Sequence, residues 1–345
     1  MPTAPLIVDV DTGIDDALAL LYLVASPDAE ILTVASTGGN VPTAQVAANN
    51  LAWLDLCGRP DIEVTLGSAV PLVGDLRTTE DTHGPQGLGH AVLPVSSRPL
   101  AERSAAQAWV DEARSRPGEV TGLVTGPLTN LALALRIEPE LPRLLRRLVI
   151  MGGAFNHPGN TTPKSEWNIS VDPEAAKAVF DAFSDAPADR RPLVCPLDVT
   201  ETIEMRPEHL RRLAVAAGSE PAELITAQDP PGTRSRTSNP VLRTLFDAIR
   251  FYLHFHDDHG QGFLAHMHDP FAAALALDPT WARTRPATVD VELDGTLTRG
   301  CTVADWHGMW GRDPNAEIAV AADPDAFFDH LVERIGPAVR HITPG

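Results

Sequence analysis

The sequence predicts an α/β fold, a single domain with a mostly parallel central sheet flanked by helices. Three observations predict it. Strand-like runs alternate with helix-period segments for much of the chain, the strand runs are apolar along their whole length, and the chemistry-bearing residues cluster where those runs end. Strands apolar on both faces must be covered on both, and strand–helix alternation makes the strands parallel neighbours.

The first strand is "LIVDV" (6–10), followed by a helix through "DDALALLYLVAS" (15–26). "EILTVAST" (30–37) then leads into a helix through "TAQVAANNLAWLDLCG" (43–58). Strand "VTGLVTG" (120–126) precedes helix "LTNLALAL" (128–135). Strand "RLVIMGG" (147–153) is followed by helix "PEAAKAVFDAF" (173–183), which leads into "PLVCPLDV" (192–199). Later helices are read at 239–256, 270–277 and 325–335, with strand-like "TVDVEL" (288–293) and "EIAVAA" (317–322) between the last two. In open parallel sheets, ligands bind beyond the carboxyl ends of the strands. Asp11, Gly38 to Asn40, Thr125, Gly152 to Asn168 and Asp198 all fall there.

Composition narrows the function. At 345 residues with 43% apolar content, the chain can build one large α/β domain or two ordinary ones. A formal net charge of −19 argues against nucleic-acid binding, which needs clustered Lys and Arg. No apolar stretch has the length of a membrane span, and the N-terminus lacks the pattern of a signal peptide. Three widely spaced cysteines form neither a disulfide framework nor a CxxC zinc pattern. A soluble cytoplasmic protein with no membrane partner is expected.

The N-terminal stretch "DVDTGIDD" puts Asp9, Asp11, Asp15 and Asp16 within eight residues. Asp9 and Asp11, two apart at a strand end, are expected to share one face. Asp15 and Asp16 open a helix, whose positive end favours carboxylates. Two unit charges about 4 Å apart at an effective dielectric of roughly 20 repel by roughly 4 kcal/mol. Any one of these acids alone reads as a helix cap or solvated turn. The four together read as a cation site, and oxygen ligands without a Cys or His pair suit Ca²⁺, Mg²⁺ or Mn²⁺. An EF-hand is excluded, because Ile14 would stand where that loop needs Gly. A haloacid dehalogenase-like phosphatase also uses DxD after its first strand, although Gly13 occupies the place of its Thr or Val. It is the runner-up, with Mg²⁺ and Asp9 or Asp11 as nucleophile.

"DVDTGIDDALAL" closely resembles the signature of nucleoside hydrolases of the inosine-uridine-preferring type. Further stretches match in the family's order: "GGN" (38–40), "HGPQGLG" from His83, "TGPLTN" from Thr125, "MGGAF" from Met151, "GNTTPKSEWNISVDPEAA" from Gly159 and "HDPFAAALAL" from His268. The resemblance implies one domain over residues 1–345, with short flexible tails at 1–4 and 342–345, and a homodimer or homotetramer. It implies a Ca²⁺ ion held by Asp11, Asp16, the Thr125 carbonyl and Asp269. It assigns Asp15, Asn40, Asn160, Glu166 and Asn168 to ribose, and His83 to the base beneath a closing loop. In the implied mechanism Asp11 is general base to an attacking water, and His268 is general acid to the departing base of a ribonucleoside.

Several of these positions have simpler readings. Asn40 and Asn160 suit ordinary turns, and His83 suits a flexible surface loop. An extended "EWN" would point Glu166 and Asn168 to one side as diol ligands and Trp167 to the other, as core filling; Trp167 is carried with the substrate contacts. Asp269 before Pro270 reads as a helix N-cap. Tyr252 and His256 are candidates for the base pocket. The motif loops carry little positive charge apart from Lys164, so nucleosides are expected over nucleotides. A ribose-binding protein without catalysis is the remaining alternative.

Overall fold

Ala4–Val10 form β1, whose residues alternate between two cores. Leu6, Val8 and Val10 pack on one side of the sheet, Ile7 on the other. β2 (Ala29–Ser36), β3 (Glu63–Leu66), β4 (Thr121–Val124), β5 (Arg147–Met151) and β6 (Leu193–Cys195) follow. A small separate ladder pairs β7 (Glu204–Met205) with β8 (Ala265–His266), and β9 (Ala282–Val291), β10 (Thr302–Asp305) and β11 (Ala316–Ala322) complete the strands. In this computed structural model, which describes residues 3–342, the main sheet runs β10-β9-β11-β6-β5-β4-β1-β2-β3. Pairings from β11 to β3 are parallel, and β9 runs antiparallel to both β11 and β10.

Helices Ile14–Val24, Pro240–Asp258, His268–Leu277 and Pro324–Val339 cover the Leu6 face. Helices Ala105–Ser115, Thr129–Ile137 and Pro173–Ala182 cover the Ile7 face. Helix Ile14–Val24 is buried over almost its whole length, as an all-round apolar helix must be. Among the described residues, no helix is long and apolar enough to cross a membrane.

The structure adds and corrects elements. β3 and helices Ala105–Ser115 and Pro207–Ala216 were not read from the sequence. The segment 192–199 is not one strand. β6 stops at Cys195, and a helical turn Leu197–Thr200 follows Pro196, which has no amide hydrogen to extend the ladder. Of the expected tails, Ala4 opens β1 and Ile342 packs against the core, while residues 1–2 and 343–345 lie outside the described residues.

Asp9 departs from its expected place. It shares the parity of Ile7 and is buried on that face, accepting hydrogen bonds from Trp109 Nε1 at 2.8 Å, Asn130 Nδ2 at 3.0 Å and the Thr37 hydroxyl. Burial pushes its carboxyl up to about 6 despite these donors. Asp9 therefore binds three elements together under the sheet end and does not converge with Asp11. Asp9→Ala removes the acceptor of the buried Trp109 N–H and of the Thr37 hydroxyl, while Asn130 keeps Thr37 Oγ1 at 2.7 Å, and is expected to cost about 2–4 kcal/mol of stability, against about 1 for Trp109→Phe. Denaturant midpoints measure both, and equal small losses would remove Asp9 from this role.

Candidate active site

A cavity of ≈680 Å³ opens beyond the carboxyl ends of the parallel strands. β1 has β2 on one side and β4 on the other, so the chain leaves β1 at the point where strand order reverses and a crevice opens. Asp11, Asp15, Asn40, Thr125, Glu166 and Asn168 line its inner end, together with His268 and Asp269.

The first loop sets the acids. Gly13 caps helix Ile14–Val24, and its N–H donates to Asp16 Oδ2 at 2.7 Å, so Asp16 closes the first turn. Neither Asp15 nor Asp269 is an N-cap: Gly13 and Met267 hold those positions, and both acids lie in first turns. Thr125 Oγ1 donates to Asp16 Oδ1 at 2.7 Å, and Asn40 N donates to Asp11 Oδ2 at 2.9 Å. Asn40 Nδ2 lies 3.5 Å from Asp16 Oδ2. Gly39 allows this closeness, because a Cβ there would stand 2.1 Å from Asp11 Oδ2.

Asp15, Asp16 and Asp269 each place a carboxylate oxygen within 4.8 Å of the other two. Asp11 is outside that triad but close enough for its charge to act on Asp269, and its own Oδ1 is buried without a partner. All four acids are buried. Desolvation, then the Asp16 charge, raises Asp11 well above the usual carboxylate range. Desolvation, then the charges of Asp15, Asp16 and Asp11, does the same to Asp269, and Asp15 is pushed up to about 7 by burial and then Asp16. Among the described residues no Lys or Arg lines the cavity. An all-oxygen set of buried, mutually repelling acids with an unpartnered oxygen fits a divalent cation.

The "EWN" segment is not extended. Glu166 caps the short helix Trp167–Val171, taking Asn168 N at 2.8 Å on Oε1, with Ile169 N and Gly153 N both at 3.0 Å on Oε2. A free carboxylate end terminates a helix well because it accepts the orphan N–H groups. Three of about four acceptor sites on Glu166 are thereby used. Asn168 Nδ2 donates to the Thr125 carbonyl at 2.8 Å and the Met151 carbonyl at 3.2 Å, leaving Oδ1 as an acceptor. Asn160 Oδ1 accepts from Trp167 N at 2.9 Å, which leaves its Nδ2 as a donor. Trp167 is half-buried on the cavity wall with the Arg77 guanidinium 5.6 Å from its ring, so it does not fill core.

Imidazoles line the same cavity. His83 is buried at the end of the turn Glu80–His83, not on the surface, and Ile14 N donates to its Nδ1 at 3.1 Å. Its neutral ring therefore presents Nε2–H, and burial, then the His256 charge, holds it down at about 3. Tyr252 and His256 both line the cavity, with ring centres 4.3 Å apart. His268 Nδ1 lies 2.7 Å from Thr200 Oγ1. Burial, then His266, holds His268 well below its ordinary value.

The sequence profile described as inosine-uridine preferring nucleoside hydrolase matches residues 6–329. The chain belongs to this family. Its members cleave ribonucleosides to ribose and free base, and so does this enzyme. A relative from Citrobacter koseri, named pyrimidine-specific ribonucleoside hydrolase RihA, is 36% identical over 96% of this chain and 97% of its own. The RihA of Salmonella agona is 35% identical over 96% and 98%. Among solved structures, the plant nucleoside hydrolase PpNRh1 superposes with a TM-score of 0.85 at 29% identity, covering 97% of this chain and 99% of that one. A purine-preferring ribonucleoside hydrolase from Gardnerella vaginalis gives 0.84 at 29%, with the same coverage. The phosphatase alternative ends here, with Asp9 sealed beneath the sheet end rather than lining the cavity.

Sequence reasoning about this nucleoside hydrolase missed Thr200, Glu201, His157 and His266, of which the last three line the cavity. The strand-end positions read from the sequence, Gly152 to Asn168 and Asp198, include His157 and stop just short of Thr200 and Glu201. The family is metal-dependent, and the raised acids give that dependence a pH signature. Asp15, at about 7 folded against 3.8 unfolded, contributes stability below pH about 4 that is lost as pH rises through about 7. Chelated protein is expected to lose Tm from pH 5 to 8, and added Ca²⁺ to raise Tm more at pH 8 than at pH 5. Equal Ca²⁺ increments at both would contradict the cluster as the ion's seat.

Proposed function

We propose that this nucleoside hydrolase acts on pyrimidine ribonucleosides, with Ca²⁺ held by Asp11, Asp16, Asp269 and the Thr125 carbonyl. Asp15, which shares the carboxylate triad with Asp16 and Asp269, faces the ribose and the ion together. The observation that carries the reading is Asp11 Oδ1, a buried acceptor without a partner in the same cavity as His268. The pyrimidine preference draws support from the 36% identity to a relative named pyrimidine-specific.

When bound, such an ion grips the ribose diol and lowers the pKa of the attacking water. The other roles fall to the chain. Asp11 Oδ1 takes the water's proton, while Asn40 N keeps Oδ2 fixed. Asp15, Glu166, the Asn168 Oδ1 acceptor, Asn40 and the Asn160 Nδ2 donor hold the sugar. The anionic floor favours positive charge growing at C1′. Thr200 orients His268, whose weakly basic ring readily gives up any proton it carries to the departing base. His83 presents Nε2–H toward the base, and Tyr252 and His256 shape the pocket around it.

Uridine and cytidine are expected to yield ribose and free base, with turnover abolished by a chelator and restored by Ca²⁺; saturable binding without release of base would favour a binding protein instead. Asp11→Ala should lower kcat by about 10³-fold or more, and retained turnover would reject its role. His268→Ala should slow uridine by about 10²–10⁴-fold but a nitrophenyl riboside, whose leaving group needs no proton, far less. Equal losses would remove His268 as the donor.

A further inference from the structure

Glu201 follows Thr200, the residue bonded to His268, and its side chain enters the same cavity. The carboxylate is only 22% exposed, and among the described residues its one charged neighbour within 4 Å is His157 Nε2, 3.6 Å from Oε2. That separation exceeds a hydrogen bond. The ring of His157 is also committed. Its Nδ1 lies 3.0 Å from the Pro158 carbonyl, which can only accept, so Nδ1 carries a hydrogen and is not free to turn to a ligand. His256 repeats the pattern, with Nδ1 at 2.8 Å from the Tyr252 carbonyl and Nε2 left as an acceptor. The Glu201 carboxylate thus accepts no hydrogen bond from the described residues, and His256 Nε2 is a second acceptor on the cavity wall. Burial raises the Glu201 carboxyl, and the charge of His157 acts in the opposite direction.

We propose that Glu201 is a specificity-determining residue that accepts a hydrogen bond from the exocyclic amino group of the nucleobase, selecting cytidine over uridine. The cytosine amino group sits across the ring from the glycosidic nitrogen, on the side away from the ribose seat. Uracil carries a carbonyl oxygen at that position, which would meet the Glu201 carboxylate as acceptor against acceptor. This inference rests on the pyrimidine-nucleoside reading of the same cavity.

The test is the ratio of kcat/KM for cytidine to that for uridine, in wild type, Glu201→Gln and Glu201→Ala. Dividing the wild-type ratio by each variant ratio cancels the intrinsic leaving abilities of the two bases. A Gln amide can rotate to donate to the uracil oxygen, so Glu201→Gln should lower the ratio by roughly 10- to 100-fold, the size of one charge-assisted hydrogen bond. Glu201→Ala should lower it in the same direction, and thermal melting checks that both variants fold. A change of less than threefold in both, with both nucleosides still hydrolysed, overturns the role of Glu201 and leaves the hydrolase reading intact. If wild type hydrolyses neither pyrimidine, the substrate reading fails, and the same double ratio from calorimetric binding constants decides the matter for Glu201. Absence of measurable binding would overturn both.

Discussion

Mutual repulsion among buried carboxylates is the constraint around which this molecule is arranged. Asp11, Asp15, Asp16 and Asp269 are withdrawn from water and face one another, and burial is the largest force raising each of them. Neighbouring residues soften the strain without removing it. Gly13 N, Thr125 Oγ1 and Asn40 N each donate to one of these acids, yet one Asp11 oxygen remains unanswered. A protein that keeps such a group in its interior holds it ready for a cation. The glycines at 13 and 39 are part of the same arrangement, since side chains there would occupy the space the acids and their donors need.

The cavity divides its chemistry between acids and imidazoles. Its acids are already supplied with backbone and hydroxyl donors, whereas the Nδ1 atoms of its imidazoles are committed: those of His157 and His256 donate to main-chain carbonyls, and that of His83 accepts from Ile14 N. Asp9 stabilises this division from below: its carbonyl accepts from Thr125 N at 2.9 Å, while its side chain joins Trp109 and Asn130. The site's floor and the sheet's second core are one hydrogen-bonded structure.

Much of this was legible in the chain. Long strands that are apolar throughout revealed the parallel sheet, and the acids crowded at a strand end pointed to cation chemistry, although Asp9 turns to the other face. The short segments were not legible, because two to four residues carry no usable periodicity, as in β3, β7 and β8. Asp9 and Asp11 were assigned one face because strand alternation was extended past Val10, where the strand has ended. The capping role of Glu166 is not legible either, because a carboxylate that caps its own helix looks the same in sequence as one facing a diol. Glu201 gave no signal of its own, since its place on the cavity wall depends on elements distant in the chain.

One side chain deserves its mechanical reading. Asn168 reaches from a short helix to the carbonyls of Thr125 and Met151, at the tips of adjacent strands β4 and β5. It acts as a clasp across two strands just where their own ladder stops. The breadth of the cleft's inner end is thus gauged by the reach of a single amide, and a homologue with one more methylene at this position would have to part the strand tips or let the clasp go.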